Sequence, residues 1–536
     1  MFELLGLLPL LRRGLVPYYQ ALVSEPEPTL RVAAIIALLE LHAVWSTQAD
    51  IVIDLCKFGA VKRRAFPFFL SVFEYERAQI VAESSTEDVD ALLSGRMRAE
   101  LNRDFDRVAD FSNQLFLATG LADYLWQSEQ FAEQAGGWRR SLPYHLLTML
   151  ARPMDPNGPF QVLSVLHNAN QPALVARVCT SFETAQIYLA EVAAFRAAGA
   201  LDAGDAKAAL KLLDRMPSAT PNARLNAFAL QTRAEALDRE GRFRDAYTTF
   251  QRMNAVAKPA DIDPQSYARG VLQRAKYEIP KLSADNRESS LAIMLGFPRS
   301  GTTLLENALA AHPLVETLEE TPALSRMARW LERFSVAGRP SVDVATTARD
   351  KYFDELRRMS KRSSAAITVD KMPMASADAV VISRMLTDIK YIFSIRHPHD
   401  VVLSCFRQNF TPNAAMENFR SVAGAAALYD FAMTQWFSVH DFDDPKVCYL
   451  RYDDLVTAFQ PSMERALAFL GLPWSEAVLG FADAADKRHA KTPSYKKVRS
   501  GISIGVQSSR DNYKFVFESK ETAVLKKWVE HFGYSA

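Results

Sequence analysis

The sequence predicts two parts of different class. Residues 1–285 read as an all-α half, and residues 286–536 as an α/β half with a parallel sheet flanked by helices. Three observations predict this. Apolar residues recur at helical spacing in Leu30–Trp45, Ala99–Leu117 and Thr184–Phe195, with prolines such as Pro143, Pro153, Pro217 and Pro221 between the runs. After a polar stretch at Pro280–Ser290 the pattern changes. Short apolar segments at Leu291–Leu295, Ala366–Val369, Tyr391–Ile395 and Val447–Leu450 alternate with long helical patterns such as Val344–Met359 and Phe419–Trp436. Third, the first of these segments runs into Gly296-Phe-Pro-Arg-Ser-Gly-Thr-Thr-Leu-Leu-Glu306, which reads as strand, glycine turn and helix.

That turn is the strongest chemical signal in the chain. A strand–turn–helix of this kind aims successive backbone N–H groups and a helix N-terminus at one point, which suits an anion. Thr302 and Thr303 add hydroxyls and Arg299 adds a fixed charge. The glycine spacing, Gly296 to Gly301, is that of a nucleotide P-loop, but Thr302 stands where a P-loop has lysine. The turn is P-loop-like and built for a phosphate-like group without that lysine. Right-handed crossovers would put it at the carboxyl edge of the sheet, where ligands bind.

Composition narrows the function classes. With 536 residues, 49% hydrophobic and 23% charged, the chain is long enough for two or more domains with real cores. A net charge of +1 provides no bulk field to recruit nucleic acid or a membrane. Cys56, Cys179, Cys405 and Cys448 show neither metal-ligand spacing nor a disulfide framework, which fits a reducing compartment. Met1–Leu11 is apolar but carries Glu3, with Arg12 and Arg13 after the run rather than before it. It reads as a packed helix, neither a secretory signal nor a membrane span. The expected location is cytoplasmic.

Within the helical half, Ala200–Leu210 and Leu237–Tyr247 look alike, each with a glycine (Gly204, Gly241) five residues before an alanine (Ala209, Ala246). The interval between the glycines is close to the roughly 34-residue tetratricopeptide period. Glycine suits the turn between paired helices and alanine their close approach, so residues 185–257 resemble a tetratricopeptide pair, with a fainter copy at Asn102–Ala109. Such repeats offer a concave surface for a protein partner or acceptor.

A second anion signal is Tyr391-Ile-Phe-Ser-Ile-Arg396-His-Pro-His-Asp400-Val-Val-Leu-Ser404: a strand ending in a basic residue, then a helix start at Pro398 and Asp400. Arg396 and Ser404 can meet one phosphate, or Arg396 can simply pair with Asp400. Together, Pro298-Arg-Ser-Gly-Thr-Thr-Leu304 and Arg396…Ser404 resemble the sulfotransferase family over residues 290 to 536. The resemblance is to bacterial tetratricopeptide-repeat sulfotransferases and, more distantly, to protein-tyrosine sulfotransferases.

The resemblance implies 3′-phosphoadenosine-5′-phosphosulfate (PAPS) as donor, with adenosine 3′,5′-bisphosphate (PAP) as product and no metal. It implies that Arg299, Ser300, Gly301, Thr302 and Thr303 hold the phosphosulfate and that Arg396 and Ser404 hold the 3′-phosphate. Within Ala311-His-Pro-Leu-Val-Glu-Thr-Leu-Glu-Glu320-Thr it implies that Glu320 is the general base. Within Asp370-Lys371-Met-Pro373, Lys371 stabilises the transferring sulfonate, and within Leu450-Arg-Tyr452-Asp-Asp-Leu455, Tyr452 contacts the 3′-phosphate end. The basic stretch Asp486–Phe517 is read as a flap over the donor, with Arg499, Ser503 and Lys514 as contacts. It departs from the usual bacterial pattern, since Gly505 and Arg510 stand where serine and tryptophan are expected.

The predicted activity is in-line transfer of a sulfonate to a hydroxyl acceptor: a protein tyrosine or other peptide site, a glycan or a small molecule. Sulfuryl transfer resembles phosphoryl transfer with less charge on the moving group, so fixed cations and backbone donors suffice. Two other classes compete. A nucleotide kinase or NTPase could use the same turn with magnesium, and a non-catalytic scaffold could use the helical repeats alone.

Overall fold

The computed structural model describes residues 86–534, apart from 102–103, 120, 122, 152–156, 185, 218, 257–261, 361–364 and 482–508. The predicted helices at Leu30–Trp45 and Met1–Leu11 lie outside the described residues. The described residues divide into two compact units, one ending at Ala246 and the other beginning at Tyr247.

The first unit is helical: α1 (Thr86–Leu101), α2 (Phe105–Thr119), α3 (Asp123–Gly136), α4 (Trp138–Ala151), α5 (Asn157–Asn168), α6 (Pro172–Thr184), α7 (Leu189–Asp202), α8 (Ala206–Leu213) and α9 (Ala223–Arg239). The division itself falls inside α10 (Phe243–Val256). Two predicted helices are in fact broken. The run Ala99–Leu117 is split by Asp104, whose carboxylate accepts from the Arg107 N–H at 3.2 Å and starts α2. The run Thr184–Phe195 spans the end of α6 and the start of α7, with Tyr188 in the left-handed region at φ 53°.

Gly204 and Gly241 lie in the α7–α8 and α9–α10 turns with φ of 91° and 74°, a conformation that favours glycine. Ala209 and Ala246, on the second helix of each pair, are fully buried. Asp205 caps α8 by accepting from the Ala208 N–H at 2.8 Å.

The second unit contains a five-stranded, wholly parallel sheet in the order β2-β3-β1-β4-β5. Its strands are β1 (Leu291–Leu295), β2 (Val315–Glu319), β3 (Ile367–Lys371), β4 (Lys390–Ile395) and β5 (Val447–Arg451). Its helices include α11 (Gln265–Ala275), α12 (Thr302–Ala310), α13 (Ala323–Phe334), α14 (Val342–Met359), α15 (Ala379–Met385), α16 (Pro398–Phe406), α17 (Val422–Phe437), α18 (Tyr452–Thr457), α19 (Phe459–Leu470) and α20 (Lys526–His531). All five residues of β1 are buried, as a central strand covered on both faces requires. One covering layer joins Leu305 and Leu309 of α12 to Met463 and Leu467 of α19. On the other, Trp436 of α17 stacks on Phe393 of β4 at 4.5 Å.

The chain leaves β1 toward β2 on one side of the sheet and later runs from β4 to β5 on the other. The topological switch point therefore lies between β1 and β4.

The division at Ala246/Tyr247 falls upstream of the expected boundary at 285. Residues after 247 pack on the α/β core: Asn254 donates to the Phe406 carbonyl at 3.0 Å, Tyr267 to the Met374 carbonyl at 3.2 Å, and Arg274 to Asp378 at 2.9 Å. The polar stretch Pro280–Ser290 is not a solvated linker. Glu288 is 1% exposed and accepts from the Asp388 N–H at 2.6 Å, while Arg287 binds both Asp285 and Asp350.

Candidate active site at the carboxyl edge of the sheet

Each strand of the sheet ends in a residue the sequence marked. In spatial order these are Glu320 after β2, Lys371 at the end of β3, the Gly296–Gly301 turn after β1, Arg396 after β4 and Tyr452 after β5. A parallel sheet puts all five on one edge, because every carboxyl end points the same way.

Local backbone shapes the central turn. Arg299 and Gly301 both take left-handed φ, 72° and 98°. Two such residues within three positions swing the chain sharply from β1 into α12, whose first N–H groups lack intrahelical partners. A side chain at 301 would put its Cβ 2.4 Å from Tyr452 Cδ2, and one at 296 would put it 2.8 Å from the Ser394 carbonyl oxygen. Glycine is thus required twice, for close approach at both positions and for backbone at 301. Ser300, Thr302 and Thr303 are buried at the base of the turn, and Ser394 donates to the Ser300 carbonyl at 2.7 Å.

The second turn joins the first directly. Arg299 Nε donates to Ser404 Oγ at 3.0 Å. Arg396 Nη1 donates to the Arg299 carbonyl at 3.1 Å, and its guanidinium lies over the Tyr452 ring at 4.6 Å. Arg299, Arg396, Ser404, Gly301 and Tyr452 therefore form one contiguous surface across the β1/β4 switch point, rich in donors and cations. Asp400, the other partner the sequence offered Arg396, is bound by Arg510, through the backbone N–H at 3.2 Å and Nη1 at 3.3 Å.

At the other side of the edge, Lys371 is fully buried. Its Nζ lies 3.0 Å from Glu320 Oε1, 3.1 Å from Glu319 Oε1 and 3.4 Å from Glu306 Oε2. Burial alone would push the ammonium's pKa down, but the three carboxylates, Glu306 foremost, outweigh it and hold Lys371 above the ordinary lysine value. Of the three, only Glu320 is substantially open to solvent, its side chain 45% exposed against 2% and 7% for Glu306 and Glu319. Glu320 also sits in the left-handed region, φ 48°, at a cost of order 1–3 kcal/mol for a non-glycine residue.

Of the proposed flap contacts, Arg499 and Ser503 lie outside the described residues. Lys514 is exposed and pairs with Asp511 at 3.8 Å. What ties its segment down is Arg510 on Asp400, the buried Tyr513 beneath Arg407, and Phe517 stacked on His399 at 4.1 Å. Burial first, then His397 and Arg510, push the His399 pKa down to about 4, so the ring stacks as a neutral group.

Sequence reasoning did not single out Glu306, Asp370, Thr321 or Tyr352 for this edge. Asp370 is fully buried and accepts from Thr321 Oγ1 at 3.0 Å and Tyr352 OH at 3.1 Å. Burial pushes its pKa up to about 7 despite these donors and Lys371. Its position beside Lys371 was a usable signal; Tyr352, on α14, had none.

Among the described residues no group of three or more His, Cys, Asp or Glu is placed to hold a metal, and no helix is long and apolar enough to cross a membrane.

Residues 292–476 match the sequence model described as "Sulfotransferase family". Over 264 residues the chain is 24% identical to protein-tyrosine sulfotransferase 2 of Gallus gallus, covering 46% of this chain and 65% of that protein. An uncharacterized protein of Aquifex aeolicus is 27% identical over 225 residues, 39% of this chain and 29% of that one. A solved sulfotransferase domain from the Synechococcus PCC 7002 olefin synthase is 18% identical and covers 49% of this chain and 99% of that one, with a TM-score of 0.35. The matched segment contains all five positions along the sheet edge and is similar to the sulfotransferase family. The chain spans less than two thirds of the length of these curated relatives.

Proposed function

We propose that the protein transfers a sulfonate group from PAPS to a hydroxyl acceptor, with Glu320 as general base. The observation that carries this is the order along one sheet edge: a half-exposed carboxylate, a buried lysine, a glycine-cradled turn, then Arg396 and Tyr452. The donor set fits a ligand with two anionic ends. Backbone N–H groups at the start of α12, with Arg299, would hold the phosphosulfate, and Arg396 with Ser404 the 3′-phosphate. Bound there, PAPS supplies the sulfonate and a bisphosphate leaving group.

Glu320 accepts the acceptor hydroxyl's proton as the hydroxyl oxygen bonds to sulfur and the sulfur–phosphate oxygen bond breaks, its electron pair leaving with PAP. Lys371 couples to this step. When Glu320 takes the proton it becomes neutral, and Lys371 loses one of three anionic partners just as charge builds on the transferring group and leaving oxygen. The relatives named protein-tyrosine sulfotransferases support a tyrosine hydroxyl as the first acceptor to test. The cytoplasm as location and the α7–α10 region as a tetratricopeptide-like binding surface belong to the same proposal.

The test is calorimetric titration with PAP against ADP, with and without magnesium, followed by transfer of labelled sulfonate to tyrosine peptides. Metal-independent binding of PAP alone, with label on tyrosine, is expected. A preference for magnesium–ADP would overturn the reading in favour of a nucleotide kinase or NTPase.

A further inference from the structure

The left-handed backbone at Glu320 has no local cause. Glutamate has no intrinsic preference for φ 48°, and such a residue persists only where its surroundings over-determine it. On its N-terminal side the β2–β3 ladder continues one step beyond the strand, with Glu320 N–H donating to the Lys371 carbonyl at 2.8 Å. On its C-terminal side the next residue is tied to the same strand. Thr321 Oγ1 donates to Asp370 Oδ1 at 3.0 Å and also accepts from the Ala323 N–H at 3.3 Å, which sets the start of α13. Asp370 is itself anchored from a third element, since its Oδ2 accepts from Tyr352 OH of α14 at 3.1 Å. Thr321, Asp370 and Tyr352 are all buried, two of them fully, so water does not compete for these bonds.

We infer that Asp370 is a positioning residue: through the Thr321 hydroxyl it pins the chain on the far side of Glu320 and so holds the Glu320 carboxylate at the sheet edge, 3.0 Å from Lys371 Nζ. The two tethers come from adjacent residues of β3, Asp370 by side chain and Lys371 by carbonyl. β3 thus grips both sides of the kink, and α14 braces β3 through Tyr352. A buried acid with no catalytic contact is explained by this role. The inference rests on the proposed role of Glu320 only for its kinetic readout.

Two measurements separate its failure from that of the functional proposal. The first needs no activity: crystal structures of Thr321→Val and Thr321→Ser. Valine keeps the shape and loses the O–H donor, so Glu320 is expected to leave the left-handed region in Thr321→Val and keep it in Thr321→Ser. An unchanged Glu320 in Thr321→Val would overturn the inference. The second is kinetic. Thr321→Val should lower kcat at least tenfold with PAP affinity within twofold of wild type, and Thr321→Ser should restore it. Equal losses in the two variants would mean that the hydroxyl is not the link. Tyr352→Phe, which keeps the ring, should show a smaller kcat loss of the same kind, and it remains informative if Thr321→Val fails to fold. Wild-type enzyme that binds PAP but transfers no sulfonate would count against the functional proposal, leaving the crystallographic comparison to decide this one.

Discussion

The two halves of the sheet edge are built on opposite electrostatic plans. On the β1, β4 and β5 side, Arg299 and Arg396 are held by a serine hydroxyl, a carbonyl and an aromatic face. These three contacts are with neutral groups. On the β2 and β3 side a single buried cation is met by three carboxylates, so charge is overcompensated before any ligand arrives. The first plan suits an incoming anion; the second holds one carboxylate in place beside a cation. The difference teaches that the first side offers cations and donors to the ligand proposed above, whereas the second is a buried network in which each member depends on the rest.

Substitutions that break one side and spare the other test this contrast. The largest expected effect is on turnover. Glu320→Gln should cut kcat by roughly 10²–10⁴-fold, the usual worth of general base catalysis, with PAP affinity nearly intact by calorimetry. Undiminished turnover would remove Glu320 from the chemistry and leave the β2–β3 side purely structural.

Next is stability. Lys371→Met leaves Glu306 and Glu319 buried without their cation and should destabilise the protein by about 3–5 kcal/mol in denaturant unfolding. By contrast Arg396→Ala should cost little stability. Its effect should fall on ligand binding: a loss of about 1.5–3 kcal/mol for PAP, the worth of hydrogen bonds to a charged group, and much less for adenosine 5′-phosphate. If both nucleotides lose affinity alike, Arg396 does not read the 3′-phosphate and the two turns do not divide the work as proposed.

The last effect concerns pH. The Asp370 carboxyl, pushed up from 3.8 to about 7 by burial, binds its proton more tightly folded than unfolded. Its contribution is therefore favourable at low pH and is lost as pH rises from about 4 through 7, by at most about 1.4 kcal/mol for each pH unit in that window. Asp370→Asn, which cannot ionise, should gain stability relative to wild type between pH 5 and pH 8 in paired unfolding curves. A gap independent of pH would show that Asp370 is ionised throughout.

Much of this site is legible in the sequence. β1 is read to the residue and β4 to within one, because central strands of a parallel sheet are continuous apolar runs; β5, at the other edge of the sheet from β2, is also read to within one. β3 is seen but cut short at Val369, since its last two residues, Asp370 and Lys371, are polar and buried only because partners meet them there. β2 is not read as a strand at all. It is an edge strand, Val315-Glu-Thr-Leu-Glu319, and its alternation is too short to stand out beside the motif it carries. The domain division is displaced for a related reason. Pro280–Ser290 is polar like a linker, but its charges are paired inside the α/β unit.

What the sequence by itself determined is the identity and chain order of the two candidate anion-binding turns: glycines where backbone must approach closely, arginines at strand ends and hydroxyls at helix starts are local signals. What only the tertiary structure decided is which of these groups meet. Sheet order is not chain order, so the placement of Lys371 between Glu320 and the Arg299 turn follows from β3 inserting between β2 and β1. That insertion gathers Glu306, Glu319 and Glu320 around one ammonium and brings Tyr352 and Thr321 to Asp370. Buried polar groups must find partners wherever the packing puts them, and no spacing along the chain encodes a partner supplied by another strand.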